Sequence, residues 1–136
     1  MKIEPYVFFE GRCEEALAFY KSAIGAETTM LMRYSQCPDP QPGTIPPGSE
    51  NKVMHASMKI GDATVMASDG MCGGTPTFAG FSLTYNASSE AEADRVFAAL
   101  SQGGKVTMPL GKTFFSPKFG MCSDKFGLGW MVIVAQ

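Results

Sequence analysis

The chain has 136 residues, of which 45% are hydrophobic, and its 11 basic and 13 acidic side chains give a formal net charge of -2. This length fits one compact domain, or two small halves that share a core. The charges form no basic stripe, so we expect no nucleic-acid partner. No apolar run approaches the roughly 20 residues that span a bilayer, and no signal-peptide pattern is present. We therefore expect a soluble, cytoplasmic protein with no membrane partner.

The first predicted helix lies in the segment CEEALAFYKSAIG, after the β-rich run YVFFE. Glu14 and Glu15 suit the positive N-terminal end of a helix, and the apolar residues that follow keep helical spacing. Gly25 supplies a left-handed stop, and another strand is expected after it.

A proline-rich stretch, QCPDPQPGTIPPGSEN at residues 36–51, follows this strand. Its five prolines exclude it from a central strand. Loops of this length are either lids or disordered excursions, and both interpretations stay open. Two predicted strands come next, NKVMHASMKIG and DATVMASD, and then the glycine-rich joint GMCGGTPT.

The second predicted helix, SSEAEADRVFAALSQGG, follows the β-rich run FAGFSLTYN. Ser89 and Glu92 form an S-x-x-E capping box, and Gly103 is expected to end the helix as Gly25 ends the first. After another strand come the predicted strands KFGMCSDKFG and LGWMVIVAQ, with Gly127 at the turn between them.

The order strand, helix and three strands therefore occurs twice. We predict an α+β fold of two βαβββ modules, residues 1–69 and 78–136, joined by residues 70–77. A single module of this kind would leave a large apolar face exposed to water, so the two are expected to pair.

The cysteines are widely separated and form no CxxC pair, which argues against a zinc knuckle or a thioredoxin-like motif. We expect reduced thiols that pack as small apolar groups. They are Cys13, Cys37, Cys72 and Cys122.

Four motifs carry a resemblance to a known family: FFEGRCEEALAFYKSAIGAE, HASMKIGDATVMASD, FSLTYNASSEAEADRVFAAL and DKFGLGWMVIV. Together they resemble the vicinal oxygen chelate superfamily, which includes glyoxalase I, bleomycin-resistance proteins and extradiol dioxygenases. Within it the chain is most similar to the PhnB-like branch, also labelled demethylubiquinone methyltransferase-like. The resemblance implies modules whose strands curl into a cupped, partly open barrel-like sheet around a cavity, with a helix outside each module, often completed as a homodimer.

In metal-dependent relatives the first and last strands of each module supply His or Gln, Glu and His ligands to a divalent ion. Here the matching strands offer Tyr6, Phe8 and Phe81, with aliphatic, methionine or tryptophan side chains elsewhere. None of these side chains is a carboxylate or an imidazole, and phenylalanine, tryptophan and leucine cannot coordinate zinc, nickel or iron, so we expect neither this metal nor another cofactor. A methyl-donor site is not indicated either, because the chain has no G-x-G-x-x-G turn.

The candidate catalytic residues are His55 and Asp69. His55 is the only histidine. It suits acid/base work if it faces the cavity, and is otherwise a structural residue. Asp69 either pairs with it or caps the joint, and Asp124 is most simply an Asx-turn residue.

Ligand-binding candidates are mostly aromatic, because such side chains can line an apolar wall or pack in a core. Arg33 is included because it can hold a carboxylate or phosphate if it points inward. The predicted ligand-binding set is Tyr6, Phe8, Arg33, His55, Phe81, Phe115 and Trp130.

Three functional hypotheses follow. The leading one is a homodimeric protein that binds a small organic ligand in an apolar cavity without a metal. The second is a metal-dependent lyase or dioxygenase of the glyoxalase type, with His55 and one or two of Glu10, Glu27, Glu50 or Asp69 in an unusual site. The third is a non-catalytic interaction module.

Overall fold

The computed structural model describes residues 1–37 and 47–136. The chain divides into two compact units, Met1–Pro76 and Thr77–Gln136. Much of the proline-rich stretch lies outside the described residues, so the choice between a lid and a disordered excursion stays a prediction. Neither helix in the described ranges has the length and hydropathy needed to cross a membrane.

The first unit contains one helix and four strands: β1 (Tyr6–Phe8), α1 (Cys13–Ile24), β2 (Glu27–Arg33), β3 (Val53–Ile60) and β4 (Ala63–Ser68). The strands form one sheet in the order β1-β4-β3-β2. Strand β1 runs parallel to β4, whereas the β3–β4 and β2–β3 pairs are antiparallel. A short 3-10 turn, Tyr34–Gln36, follows β2.

The second unit repeats this plan with β5 (Leu83–Ala87), α2 (Glu90–Ser101), β6 (Lys105–Gly111), β7 (Phe119–Ser123) and β8 (Gly129–Val134). Its strand order is β5-β8-β7-β6, in which β5 and β8 are parallel and the other pairs are antiparallel. The predicted order of strand, helix and three strands, occurring twice, is confirmed.

The helix ends follow the sequence signals with two differences. Helix α2 ends at Ser101 and its C-cap is Gln102 in an extended conformation, so Gly103, at φ 78°, follows the cap instead of forming it. Gly25 caps α1 in the left-handed conformation at φ 71°. The Ser89 hydroxyl accepts the backbone N–H of Glu92 at 3.1 Å, whereas the Glu92 carboxylate reaches back to the N–H of Ser88 at 2.6 Å. The box therefore closes one residue before the cap, because the carboxylate side chain is long enough to span the extra residue.

Each sheet has a buried side that packs with its helix and a second side that is partly exposed. Successive side chains along a strand point to opposite sides, so the alternation of burial identifies the two faces. We call the partly exposed side of the first sheet its open face. It carries Tyr6, Phe8, His55, Ser57 and Met66, whereas Val7, Ala56, Met58, Val65 and Ala67 are buried on the helix side.

Candidate functional site

A hydrogen bond joins two predicted site residues on the open face. The phenol oxygen of Tyr6 lies 2.8 Å from Nδ1 of His55, although 49 residues separate them in the chain. The sheet order explains the contact: β1 and β3 flank β4 on either side, and Tyr6 is in register with Met66 of β4. The long phenol and imidazole side chains therefore meet above the intervening strand.

Phe8 extends this pair into an aromatic surface. Its ring centroid lies 5.1 Å from that of Tyr6, with 31° between the planes, and the Tyr6 and His55 rings are 5.5 Å apart. Tyr6 is 39% exposed and Phe8 is 48% exposed, which is high for large apolar side chains. The three rings form an accessible apolar surface with a hydrogen-bonded polar edge.

The phenol of Tyr6 stays protonated across the neutral pH range. Partial burial raises its pKa above the ordinary value, and a hydrogen bond with Ser68 opposes that rise. A protonated phenol can donate to Nδ1 of a neutral imidazole or accept from it, according to the tautomer of His55. In either case, Nδ1 is the imidazole nitrogen that bonds Tyr6, and the described residues give Nε2 no hydrogen-bond partner.

The carboxylate of Asp69, the other catalytic candidate, accepts hydrogen bonds from backbone N–H groups of the first unit. It is 1% exposed. Its Oδ1 accepts the backbone N–H groups of Gly11 and Cys13 at 2.8 and 2.7 Å, and its Oδ2 accepts that of Val53 at 2.7 Å. These bonds tie the end of β4 to the start of α1 and the start of β3, a structural role different from both a pairing with His55 and a cap on the joint.

Arg33 is engaged by another surface residue. Its guanidinium donates to both carboxylate oxygens of Glu14, at 3.0 and 2.7 Å, and to the carbonyl of Asn51 at 2.8 Å. The hydrogen bond to Arg33 lowers the pKa of Glu14, and the same bond raises the pKa of Arg33. The charge that was expected to attract a carboxylate or phosphate is therefore already paired.

Trp130, in the second unit, is packed inside the protein fold. It is 3% exposed, and its indole nitrogen donates to Oδ2 of Asp124 at 2.9 Å. Asp124 Oδ1 also accepts the backbone N–H groups of Phe126 and Leu128. This is the Asx-turn role predicted for Asp124, extended by a side-chain bond to the tryptophan.

The other two predicted aromatics of the second unit are accessible. Phe81 lies just before β5 and meets Phe78 edge-to-face, with centroids 6.4 Å apart. Phe115 lies between β6 and β7, and its centroid is 5.0 Å from that of Phe119. Their use in ligand binding stays a prediction.

Two residues that sequence reasoning did not select lie beside Tyr6. The hydroxyl of Ser68 interacts with the phenols of both Tyr6 and Tyr34, and the Tyr34 phenol donates to the carbonyl of Gly70. Ser68 lies near the end of a predicted strand and Tyr34 follows one, so neither carries a motif. The parallel pairing of β1 with β4, which sets Phe8 opposite Ser68, is what brings Ser68 into place.

The residues on these sheets do not fit the divalent-metal centre that the resemblance implies. The positions of the first and last strands that are not buried are Tyr6, Phe8, Ala63, Thr64, Met66, Leu83, Thr84, Tyr85, Asn86, Gly129, Met131 and Ile133. These side chains include neither a carboxylate nor an imidazole. Among residues 1–37 and 47–136, no group of three His, Cys, Asp or Glu side chains is placed to hold a metal ion.

A family model described as 3-demethylubiquinone-9 3-methyltransferase matches residues 1–133. The chain belongs to this PhnB-like family. Protein YjdN of Escherichia coli is 31% identical, and the match covers 100% of this chain and 97% of YjdN.

Solved structures agree with this assignment. Protein PA1353 from Pseudomonas aeruginosa superposes with a TM-score of 0.86 at 36% identity, covering 100% of this chain and 98% of that one. The PhnB protein from Bacillus cereus gives 0.82 at 35% identity, covering 99% and 100%.

A more distant structure supports the fold alone. It is a glyoxylase/bleomycin resistance protein/dioxygenase domain from Frankia, with a TM-score of 0.65 at 13% identity, covering 98% of this chain and 94% of that one. The PhnB-like chain therefore has the fold of the vicinal oxygen chelate superfamily, as its motifs predicted.

Proposed function

We propose that this PhnB-like protein binds a small organic ligand on the open face of its first sheet and uses no metal ion to do so. The proposal depends chiefly on the hydrogen-bonded Tyr6–His55 pair beside the exposed ring of Phe8. Ligand sites are typically apolar surfaces with a few polar groups that fix orientation. The open face has this composition, and the donor set of a metal centre is missing from the same strands.

The aromatic rings and the pair have separate roles in this proposal. Phe8 and Tyr6 provide apolar area on which a ring or alkyl body packs. The imidazole nitrogen that does not bond Tyr6 offers one hydrogen bond to a polar atom of the ligand. Because Tyr6 fixes the orientation of the imidazole, this bond is positioned before the ligand arrives, which lowers the entropic cost of binding.

We further propose that the protein works as a cytoplasmic homodimer. The exposed apolar side chains support self-association, since contiguous apolar patches commonly mark interaction surfaces. The four free cysteines support a reducing compartment. Sedimentation equilibrium would test the dimer, and a monomer at all concentrations would contradict it.

Titration with Nile red, an uncharged dye whose emission depends on polarity, tests ligand binding. We expect saturable binding with blue-shifted emission and an affinity about fivefold weaker in Phe8→Ala, since the variant loses one aromatic contact. Phe114→Ala is the control because Phe114 is also an exposed phenylalanine, at 93%, but lies in the second unit. Absence of saturable binding, or an equal loss in both variants, would refute the proposal.

A further inference from the structure

The open face is bordered by a carboxylate at the end of β1. A Cβ atom placed on Gly70 would lie 3.0 Å from Oε1 of Glu10 and 3.1 Å from Cδ1 of Phe8. The carboxylate oxygen and this ring carbon therefore lie near each other beside Gly70, where even a Cβ atom would be crowded. The Tyr6 ring also lies next to Phe8, with the ring centroids 5.1 Å apart.

Glu10 is held in this position at a conformational cost. Its φ of 51° is in the left-handed region, which is unfavourable for a residue with a side chain. Its Oε2 accepts the backbone N–H of Gly73 at 3.1 Å. Within the described ranges Oε1 has no hydrogen-bond partner, so one oxygen is available beside the rings. Strained residues of this kind often mark functional positions.

The charges around this end of the open face favour a cation. Burial is the main cause of the raised pKa of Tyr34 and of Cys72, and the carboxylates of Asp69 and Glu10 raise both further. Lys52 opposes this effect at Cys72. Its ammonium donates to the carbonyl of Gly11 at 2.9 Å, and its single positive charge faces the two negative charges of Asp69 and Glu10.

Two further cationic side chains on the first sheet, Arg33 and Lys59, do not offset the negative charge of these carboxylates. Arg33 is paired with Glu14, as described above. Lys59 is four residues from His55 along β3, which places it about 13 Å away at 3.3 Å per residue. That distance is longer than a small ligand seated on Tyr6 and Phe8.

We propose that the ligand of the open face is an organic cation, with its ammonium group between the Phe8 and Tyr6 rings and the Glu10 carboxylate. This proposal rests on the proposed function and specifies the ligand class. A cation is attracted to the faces of aromatic rings, and more so where it is partly desolvated. A nearby carboxylate adds attraction at short range. The body of the ligand then extends over the open face toward His55.

The test compares two probes of nearly the same shape, 3-hydroxyphenyltrimethylammonium and uncharged 3-tert-butylphenol. Both are titrated into the full chain labelled with ¹³C at the methionine methyl groups, and dissociation constants are fitted from the Met66 signal. We expect the cation to bind about tenfold more tightly in the wild-type protein. Glu10→Gln should reduce this difference in affinity between the cationic and the uncharged probe.

Glu27→Gln is the matched control, because it removes the same charge from the first residue of β2 and should keep the preference. Equal binding of both probes to the wild type would overturn the charge proposal and leave the proposed function standing. The same would follow if Glu27→Gln lost the preference as fully as Glu10→Gln. If neither probe bound, both proposals would fail.

Discussion

The indole nitrogen of Trp130 donates to Oδ2 of Asp124 at 2.9 Å inside the second unit. This bond joins the start of β8 to the turn that precedes it, where Oδ1 of the same carboxylate accepts two backbone N–H groups. The only tryptophan of the chain is therefore a structural anchor. Its fluorescence reports on the integrity of the β7–β8 turn.

Asp124→Asn should destabilise the protein by about 2 kcal/mol, because one of the buried donors loses its charged acceptor. The emission of Trp130 should also move to longer wavelength as the turn loosens. Chemical denaturation monitored by this emission measures both effects. Asp94→Asn, at an exposed carboxylate of α2, should leave the emission maximum unchanged. If Asp124→Asn had the same denaturation curve and emission maximum as the wild type, this interpretation would be contradicted.

Asp69→Asn should cost about 3 kcal/mol, because its carboxylate accepts three backbone N–H groups in a buried place. The side-chain NH₂ group of an asparagine would also face one of these backbone N–H groups, so that two donors would meet. Thermal unfolding with Asp62→Asn as the control measures the difference, since Asp62 is exposed in the β3–β4 turn. Equal melting temperatures for the two variants would show that Asp69 has no structural role.

Burial protects two thiols from alkylation. It raises the pKa of Cys13 to about 12 and that of Cys122 to about 11. The thiolate is the nucleophile, so neither residue should react with iodoacetamide in the folded protein at pH 8. Peptide mass mapping before and after denaturation measures this. Rapid labelling of Cys13 in the native protein would contradict its burial.

The same shift predicts how stability depends on pH. The thiol of Cys13 has an ordinary pKa of 9.0 and a folded pKa of about 12, so the folded state holds the proton more tightly. Its contribution to the free energy of unfolding is complete below pH 9 and is lost as the pH rises toward 12. The free energy of unfolding, measured by denaturation, should therefore fall more steeply above pH 9 for the wild type than for Cys13→Ala. If the free energies of the two proteins fell in parallel, this contribution would be ruled out.

Gly104→Ala should be severely destabilising, by about 3 kcal/mol or more. A Cβ at this position would lie 2.1 Å from the Ser123 carbonyl oxygen and under 3 Å from the backbone of Asp124. Gly111→Ala is the control on the neighbouring strand β6, because its Cβ would meet no atom within 4 Å. Urea denaturation compares them, and similar midpoints would contradict the close approach of the two backbones.

Local signals in the sequence predicted the helices, the left-handed cap of α1 and the two repeated modules, because helical periodicity and left-handed glycines act over a few residues. The side on which a strand residue lies was harder to predict. Trp130 was predicted to line the cavity, and a shift of one residue exchanges the two faces of a strand. The structure places Trp130 on the buried side and leaves Met131 partly exposed.

The candidate site needed information that the sequence pattern does not contain. Tyr6 and His55 were both predicted as site residues, but their contact depends on β4 lying between β1 and β3. The engagement of Arg33 by Glu14 depends on how α1 lies against β2, the next element along the chain. Composition indicates which side chains can act, and the packing of the elements decides which of them meet.

The central claim is that a small organic ligand binds on the open face of the first sheet. The most direct test is a titration of ¹³C-methyl-methionine protein with 3-tert-butylphenol, comparing Met66 with Met58. Met66 is on the open face in register with Tyr6, whereas Met58 is 1% exposed on the helix side of the same sheet. We predict a saturable shift of the Met66 signal with little change at Met58. A titration that leaves Met66 unmoved, or moves both signals equally, would contradict the account.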